Sequence, residues 1–361
     1  MDDIKYMKLA FQLSKKGVGF TEPNPLVGAV LVKDNRLLAT GYHARYGTAH
    51  AEQAALRPVS ETDTTLYVTL EPCAHYGKTP PCCDLLTQKK VRRVVVAVQD
   101  PNPLVNGKGI AHLKSHGVQV EVGLLRDMAL TINRHYFKYI TSNLPYVTIH
   151  GGVSTDGKLT DKDRHSKWIT DEWLRQISHS VRGEFSAILV GRNTVLDDNP
   201  HLTLREPAWG NKTLMRVVLD AENALTGNWN IFKNREAFPL VIFSSSQTSH
   251  QTPNANANHH FFVSPGSNPG ELNLVEVLEQ LHRLGIASVL VEGGGRVIDS
   301  FLKSGLYDEV LLFTADTLIG GKASVELLAS GVPVSNPVSL AGREITALES
   351  GYILRAYRQK Q

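Results

Sequence analysis

The chain has 361 residues, 42% hydrophobic and 20% charged, which is long for one core and predicts two domains. Its 38 basic and 35 acidic residues leave a net charge of only +3, with no dense Lys/Arg block. That balance disfavours a nucleic-acid or membrane surface as the main partner, but leaves room for a small phosphorylated substrate.

In chain order, Ile4, Met7, Phe11 and Ser14 recur at helical spacing and predict an amphipathic helix over 3–16. The opening MDDIKYMKLAFQLSKKG lacks the basic start and apolar run of a secretory signal, and nowhere are there 18 consecutive apolar residues. VGAVLV (27–32) and LLATGYH (37–43), parted by KDNR, read as a hairpin. TLYVTL (65–70) is a strand that runs into a cysteine cluster. After it a helix (82–90), strand (93–98), helix (109–116), strand (118–123) and a long helix (125–141) alternate. The polar, proline-containing TSNLPY marks the domain boundary, giving domains 1–144 and 145–361.

The second half alternates again. Strands are expected at 146–149, 187–191, 216–220, 239–243 and 288–294, helices near 171–183, 272–284 and 296–304, and two closing strands near 309–314 and 351–358. Both halves are therefore α/β. The stretch 244–260 is polar and aperiodic and reads as a surface excursion of unassigned role, as does the segment running on to 270.

All three cysteines lie within 73–83, too clustered to staple a fold of this size, so a reducing, cytoplasmic compartment is expected. Upstream, His50-Ala51-Glu52 precedes Pro72-Cys73 and Pro81-Cys82, the pattern of a zinc-dependent deaminase. One imidazole and two thiolates fill three tetrahedral positions of Zn2+ and leave the fourth for water, unlike a closed structural site. Two thiolates also cancel the ion's charge, so a base is needed to take the water's proton, and Glu52 is placed for that role. Eight residues separate Cys73 from Cys82, unlike the pair of a zinc knuckle, for which His75 or Cys83 would have to serve as the fourth ligand. Spacing alone does not choose between Cys82 and Cys83.

With PNPLVGAVLV (23–32), HAE (50–52), EPCAHYGKTPPC (71–82) and QDPNPLVNGKGI (99–110), the first half resembles the deaminase domain of the bifunctional riboflavin-biosynthesis deaminase–reductase family, the RibD type. The resemblance implies a cytidine-deaminase-like α/β/α fold, Cys82 as third ligand with Cys83 a bystander, Glu52 as proton shuttle, and Asn24 as a reader of the pyrimidine edge. In the second half, PYVTI with STDGK, SKWIT, AILVGRNTVLDDNPHLT, RVVLD, VEGG and LIGG resemble the same family's reductase domain, which is similar to dihydrofolate reductase. That implies substrate contacts at Ser166, Arg182, Leu202, Arg205 and Glu292. It also implies NADPH contacts at Gly152, Trp168, Thr194, Asp198 and the turn Gly294, Gly295, Arg296, Val297, Ile298, Asp299 and Ser300. A homo-oligomer is expected on the same ground.

Two positions depart from the family's pattern. His150 stands where the family usually carries Lys, and Asp316-Thr317-Leu318 replaces Pro-Lys-Leu. The expected activity is hydrolytic deamination of 2,5-diamino-6-(5-phosphoribosylamino)pyrimidin-4-one, then NADPH-dependent reduction of its ribosyl group. Alternatives are a deaminase whose reductase half is degenerate, a base deaminase acting on RNA, and a non-enzymatic zinc module.

Overall fold

In the computed structural model the chain falls into two compact units, Met1–Asn143 and Leu144–Gln361. The structure describes residues 2–76, 80–161, 163, 169–226, 228–233, 238–245, 259–268, 270–328, 330–333 and 335–359.

The first unit is a five-stranded sheet between two helical layers. Its strands are β1 (Gly28–Lys33), β2 (Arg36–Tyr42), β3 (Thr65–Val68), β4 (Arg93–Val96) and β5 (Gln119–Val122), in the order β2-β1-β3-β4-β5. β1 runs antiparallel to β2 and β3, whereas β3, β4 and β5 are parallel. Alternate residues of the central strands feed two cores, as the period of two requires. Leu31, Leu66 and Val94 pack with helices α2 (Ala51–Leu56), α3 (Cys82–Gln88) and α4 (Lys108–Ser115). Val30, Tyr67 and Val95 pack with α1 (Asp3–Ser14), α5 (Arg126–Ile132) and α6 (Arg134–Ser142).

The long helix expected at 125–141 is thus two helices. The break is at Asn133, whose buried amide bonds both backbone groups of Leu26, accepting from its N–H at 2.7 Å and donating to its carbonyl at 3.0 Å. Asn133 keeps its backbone bonds to Ala129 and Phe137, and its φ of −100° marks the turn between the two helices.

The second unit is a nine-stranded sheet in the order β10-β9-β8-β7-β11-β6-β12-β14-β13. In chain order its elements are β6 (Tyr146–Ser154), α7 (Glu172–Val181), β7 (Ala187–Gly191), α8 (Arg192–Asp198), β8 (Met215–Leu219), β9 (Leu240–Ser244), β10 (His259–Val263), α9 (Leu274–Arg283), β11 (Ser288–Val291), α10 (Gly295–Ser304), β12 (Glu309–Ala315), β13 (Leu340–Leu348) and β14 (Gly351–Arg358). Strands from β10 to β12 are parallel, and the β13–β14 hairpin is added antiparallel.

Three elements go beyond the sequence expectation. β13 lies at the sheet edge, exposed over nearly all its length, so LAGREITAL shows no hydrophobic alternation to betray it. α8 lies where no element is expected, because only Val195 of it is buried. β10 emerges from the end of the aperiodic stretch, most of which (246–258) lies outside the described residues.

Candidate active sites

In the first unit the β2–α2 and β3–α3 connections bring the metal-type donors together. His50 is the extended residue that leads into α2, Cys73 follows β3, and Cys82 is the first residue of α3. His50 Nδ1 lies 3.5 Å from Cys73 Sγ and 3.3 Å from Cys82 Sγ, and all three ligand atoms fall within 4.8 Å of one another. Among the described residues no other group of three His, Cys, Asp or Glu side chains converges in this way. The backbone N–H of Cys82 donates to Cys73 Sγ at 3.3 Å, which favours a thiolate there. Hydrogen bonding from Cys82 and His50 holds Cys73 at about 4, far below the ordinary thiol range.

The structure separates the adjacent cysteines. Cys83 points away, its thiol donating to the carbonyls of Pro72 (3.4 Å) and Gly109 (3.5 Å) inside the core shared by α2, α3 and α4. Burial pushes its titration well up, as expected of an inert thiol. His75 is not part of the trio either.

Glu52 sits in the first turn of α2, almost wholly buried. Burial, followed by the neighbouring Cys73 charge, pushes its carboxyl up to about 7. It lines a cavity of about 380 Å3 together with Asn24, His43, His50, Cys73 and Asp100. That volume suits a single nucleotide-sized ligand.

Sequence reasoning missed His43. Its Nδ1 meets the Ala49 carbonyl at 3.0 Å and its Nε2 meets Asn24 Nδ2 at 3.3 Å. Burial lowers its pKa, so the ring is neutral, donating from Nδ1 and accepting from Asn24. The Asn24 amide is thereby oriented at the cavity wall. Asp100, in DPNP (100–103), carries no signal of its own in the sequence. Its carboxylate accepts from Tyr136 Oη at 2.9 and 3.1 Å, and burial raises it to about 6.

The second unit gathers charge where β6 and β11 lie side by side, at their C-terminal halves. Such positions in a parallel sheet open onto the ligand crevice. Arg182 grips Glu292 with two N–H groups, at 2.8 and 2.7 Å, and both side chains are about nine-tenths buried. His150 completes the cluster, its Nδ1 3.5 Å from Glu292 Oε1 and its Nε2 3.1 Å from Ser178 Oγ. Burial lowers His150, so it is neutral and supplies no fixed charge. For Glu292 burial acts upward, but the Arg182 charge and its two hydrogen bonds outweigh it and hold the carboxyl at about 2.

The remaining expected residues divide. Gly294 has φ +40° and approaches Thr194 Oγ1, and α10 starts at Gly295 with no side chain capping its N-terminus. Arg296 is exposed beside that turn. Ile298 instead faces the sheet core, at 1% exposure, so its side chain offers nothing to a ligand. Val297 packs against Gly191, Asp299 accepts from Ser330 Oγ and pairs with Lys303, and Ser300 Oγ bonds back to the Arg296 carbonyl. Leu202 is likewise in the core, at 3%, with its backbone in the left-handed region. Arg205 and Asp198 are exposed, and Gly152 abuts Thr170. Ser166 and Trp168 lie outside the described residues.

The RibD C-terminal domain family matches residues 145–354, and the cytidine and deoxycytidylate deaminase zinc-binding region matches residues 1–98. The chain is 40% identical to the riboflavin biosynthesis protein RibD of Aquifex aeolicus (strain VF5), over 90% of this chain and 89% of that protein. It is also 40% identical to that of Bacillus amyloliquefaciens, over 90% and 87%. The chain belongs to the RibD family. Like other RibD proteins it is a bifunctional enzyme with a deaminase and a reductase domain. The crystal structure of a diaminohydroxyphosphoribosylaminopyrimidine deaminase/5-amino-6-(5-phosphoribosylamino)uracil reductase from Thermotoga maritima superposes with a TM-score of 0.88 at 34% identity, covering 99% of each chain. The fold class is therefore a cytidine-deaminase-like domain followed by the RibD reductase domain.

Proposed function

We propose that the first unit deaminates 2,5-diamino-6-(5-phosphoribosylamino)pyrimidin-4-one, with zinc held by His50, Cys73 and Cys82, and that the second reduces the product with NADPH. The observation that carries this reading is the convergence of one imidazole and two thiols on a cavity that Glu52 also lines. This donor set fits zinc with one position open. Bound there, the ion supplies a Lewis acid that acidifies water near neutral pH.

The chain's own residues do the rest. Glu52 takes a proton from the attacking water and returns protons to the ring nitrogen and the departing amine. Water's oxygen becomes the ring carbonyl and ammonia leaves, so atoms balance. Asn24, oriented by neutral His43, reads the pyrimidine edge through its amide. A pocket of about 380 Å3 and a net charge of +3 favour the free small molecule over an RNA base, which calls for a basic or aromatic stripe.

In the second unit the uncapped N-terminus of α10 and the glycines before it suit a dinucleotide phosphate. The nicotinamide supplies the hydride. Arg205, exposed, is suited to the substrate phosphate, whereas Arg182 already commits two donors to Glu292 and holds that carboxylate in place.

The commitment of two of the three cysteines to the metal-type trio supports a cytoplasmic location. The exposed edge of β13 supports a homo-oligomer. The test of the function is a coupled assay following ammonia release and NADPH oxidation separately. Ammonia should appear only with zinc present, and NADPH should be consumed with the deaminated intermediate. Lack of NADPH turnover would favour a degenerate reductase half.

A further inference from the structure

We infer that Glu71 is a positioning residue of the deaminase site, holding the wall of the cavity that carries Asp100 and Asn102. This rests on the proposed reading of that cavity.

Glu71 lies at the end of the strand segment that leads to Cys73, and it is 4% exposed. A buried carboxylate needs partners. Those of Glu71 come from one distant segment. Oε2 accepts from the backbone N–H of Asp100 at 3.1 Å and of Gly107 at 3.0 Å, and Oε1 accepts from that of Ile110 at 3.1 Å. The three donors bracket the loop between β4 and α4. Gly107 and Ile110 belong to the N-terminal end of α4, whose N-cap is Gly107 (φ +83°) and has no side chain to offer. Glu71 thus caps α4 from 36 positions away in the chain.

The contact is close. A Cβ on Gly109 would meet the Pro72 carbonyl at 2.0 Å, so α4 must lie directly on the segment between Glu71 and Cys73. Along the bracketed loop, Asp100, Asn102 and Val105 line the cavity. Asp100 Oδ1 accepts from the Asn102 N–H at 2.9 Å, and Tyr136 Oη donates to the same carboxylate from α6. One carboxylate therefore ties the loop facing the substrate to the strand that delivers a metal ligand, and Tyr136 is the loop's second anchor. Removing the first anchor should loosen substrate fit while leaving Glu52 and the trio in place.

Glu71→Gln keeps the shape but turns an NH2 group toward backbone donors. The expected result is a KM for the pyrimidine raised about tenfold, the cost of one lost charge-assisted hydrogen bond, with a smaller change in kcat. One zinc per chain is retained. Hydrogen exchange should speed at the amides of Asp100, Gly107 and Ile110. Tyr136→Phe should raise KM in the same direction by less, and it decides the matter if Glu71→Gln does not fold. An unchanged KM with faster exchange would overturn the inference, as would zinc loss that accounts for the whole defect. An unchanged KM in Tyr136→Phe, should it have to decide, would do the same. Ammonia release that survives Glu52→Gln would instead sink the reading of the cavity itself, independently of Glu71.

Discussion

The two candidate sites are built with opposite charge economy. Around the metal-type trio, Glu52 and Asp100 are buried carboxyls pushed up to about 7 and about 6, an arrangement short of positive charge. In the second unit, Glu292 is about nine-tenths buried yet held at about 2, because Arg182 lies on it with two hydrogen bonds. Burial is common to both; the partner decides the sign. The first site suits a cation that the polypeptide does not itself provide, whereas the second is already balanced by its own side chains.

Breaking the proton shuttle should give the largest effect and mark the first site alone. Glu52→Gln is expected to lower kcat for ammonia release by on the order of a thousandfold while keeping zinc and leaving NADPH oxidation intact. Metal analysis beside the two assays checks all three. Arg182→Met should do the converse. It strands Glu292 in a buried environment and should cost the second unit about 3–5 kcal/mol, read as a lowered denaturation midpoint with the first unit's transition unmoved.

Acid should separate the units more gently. His179 is pushed down to about 4 by burial and then by the Arg182 charge. A histidine lowered in this way is neutral when folded, so its contribution is lost as pH falls from about 6.5 toward 4. Glu292 adds a second loss, because a depressed carboxyl stabilises above about 4.5 and ceases to do so as pH falls through about 2. Asp100 runs the other way. Its raised pKa favours the fold below about 4, an advantage lost as pH rises through about 6. Calorimetry between pH 7 and pH 4 should therefore show the second unit's transition falling. The smallest effect should come from His150→Lys. By adding a permanent charge beside Glu292 it should raise reductase kcat/KM by roughly threefold to tenfold, and no change would show that the departure at 150 is neutral.

The sequence announced chemistry better than contacts. His50, Cys73 and the base Glu52 beside them are legible because a metal and its proton acceptor demand particular residue types at particular spacings; spacing leaves Cys82 and Cys83 open, the resemblance implies Cys82, and the fold turns Cys83 into the core. His43, Asp100 and Glu71 carry no such signature. Each acts through a hydrogen bond to a residue far along the chain, such as Glu71 to Ile110 or Asp100 to Tyr136. Buried strands such as AILVG were plain from their apolar runs. β13 was not, because an exposed edge strand has no buried face to write an alternating pattern. Ile298 and Leu202 mark a limit of reading residues by resemblance, since their side chains serve the core beside the place where a ligand would sit.

X-ray absorption on the zinc-loaded protein would show whether the metal beside Glu52 keeps an open vertex. The expected spectrum has two sulfur ligands at about 2.3 Å with one nitrogen and one oxygen at about 2.0–2.1 Å, the oxygen being solvent. A third sulfur, or a second imidazole in place of the oxygen, would mean a closed structural centre and would contradict it.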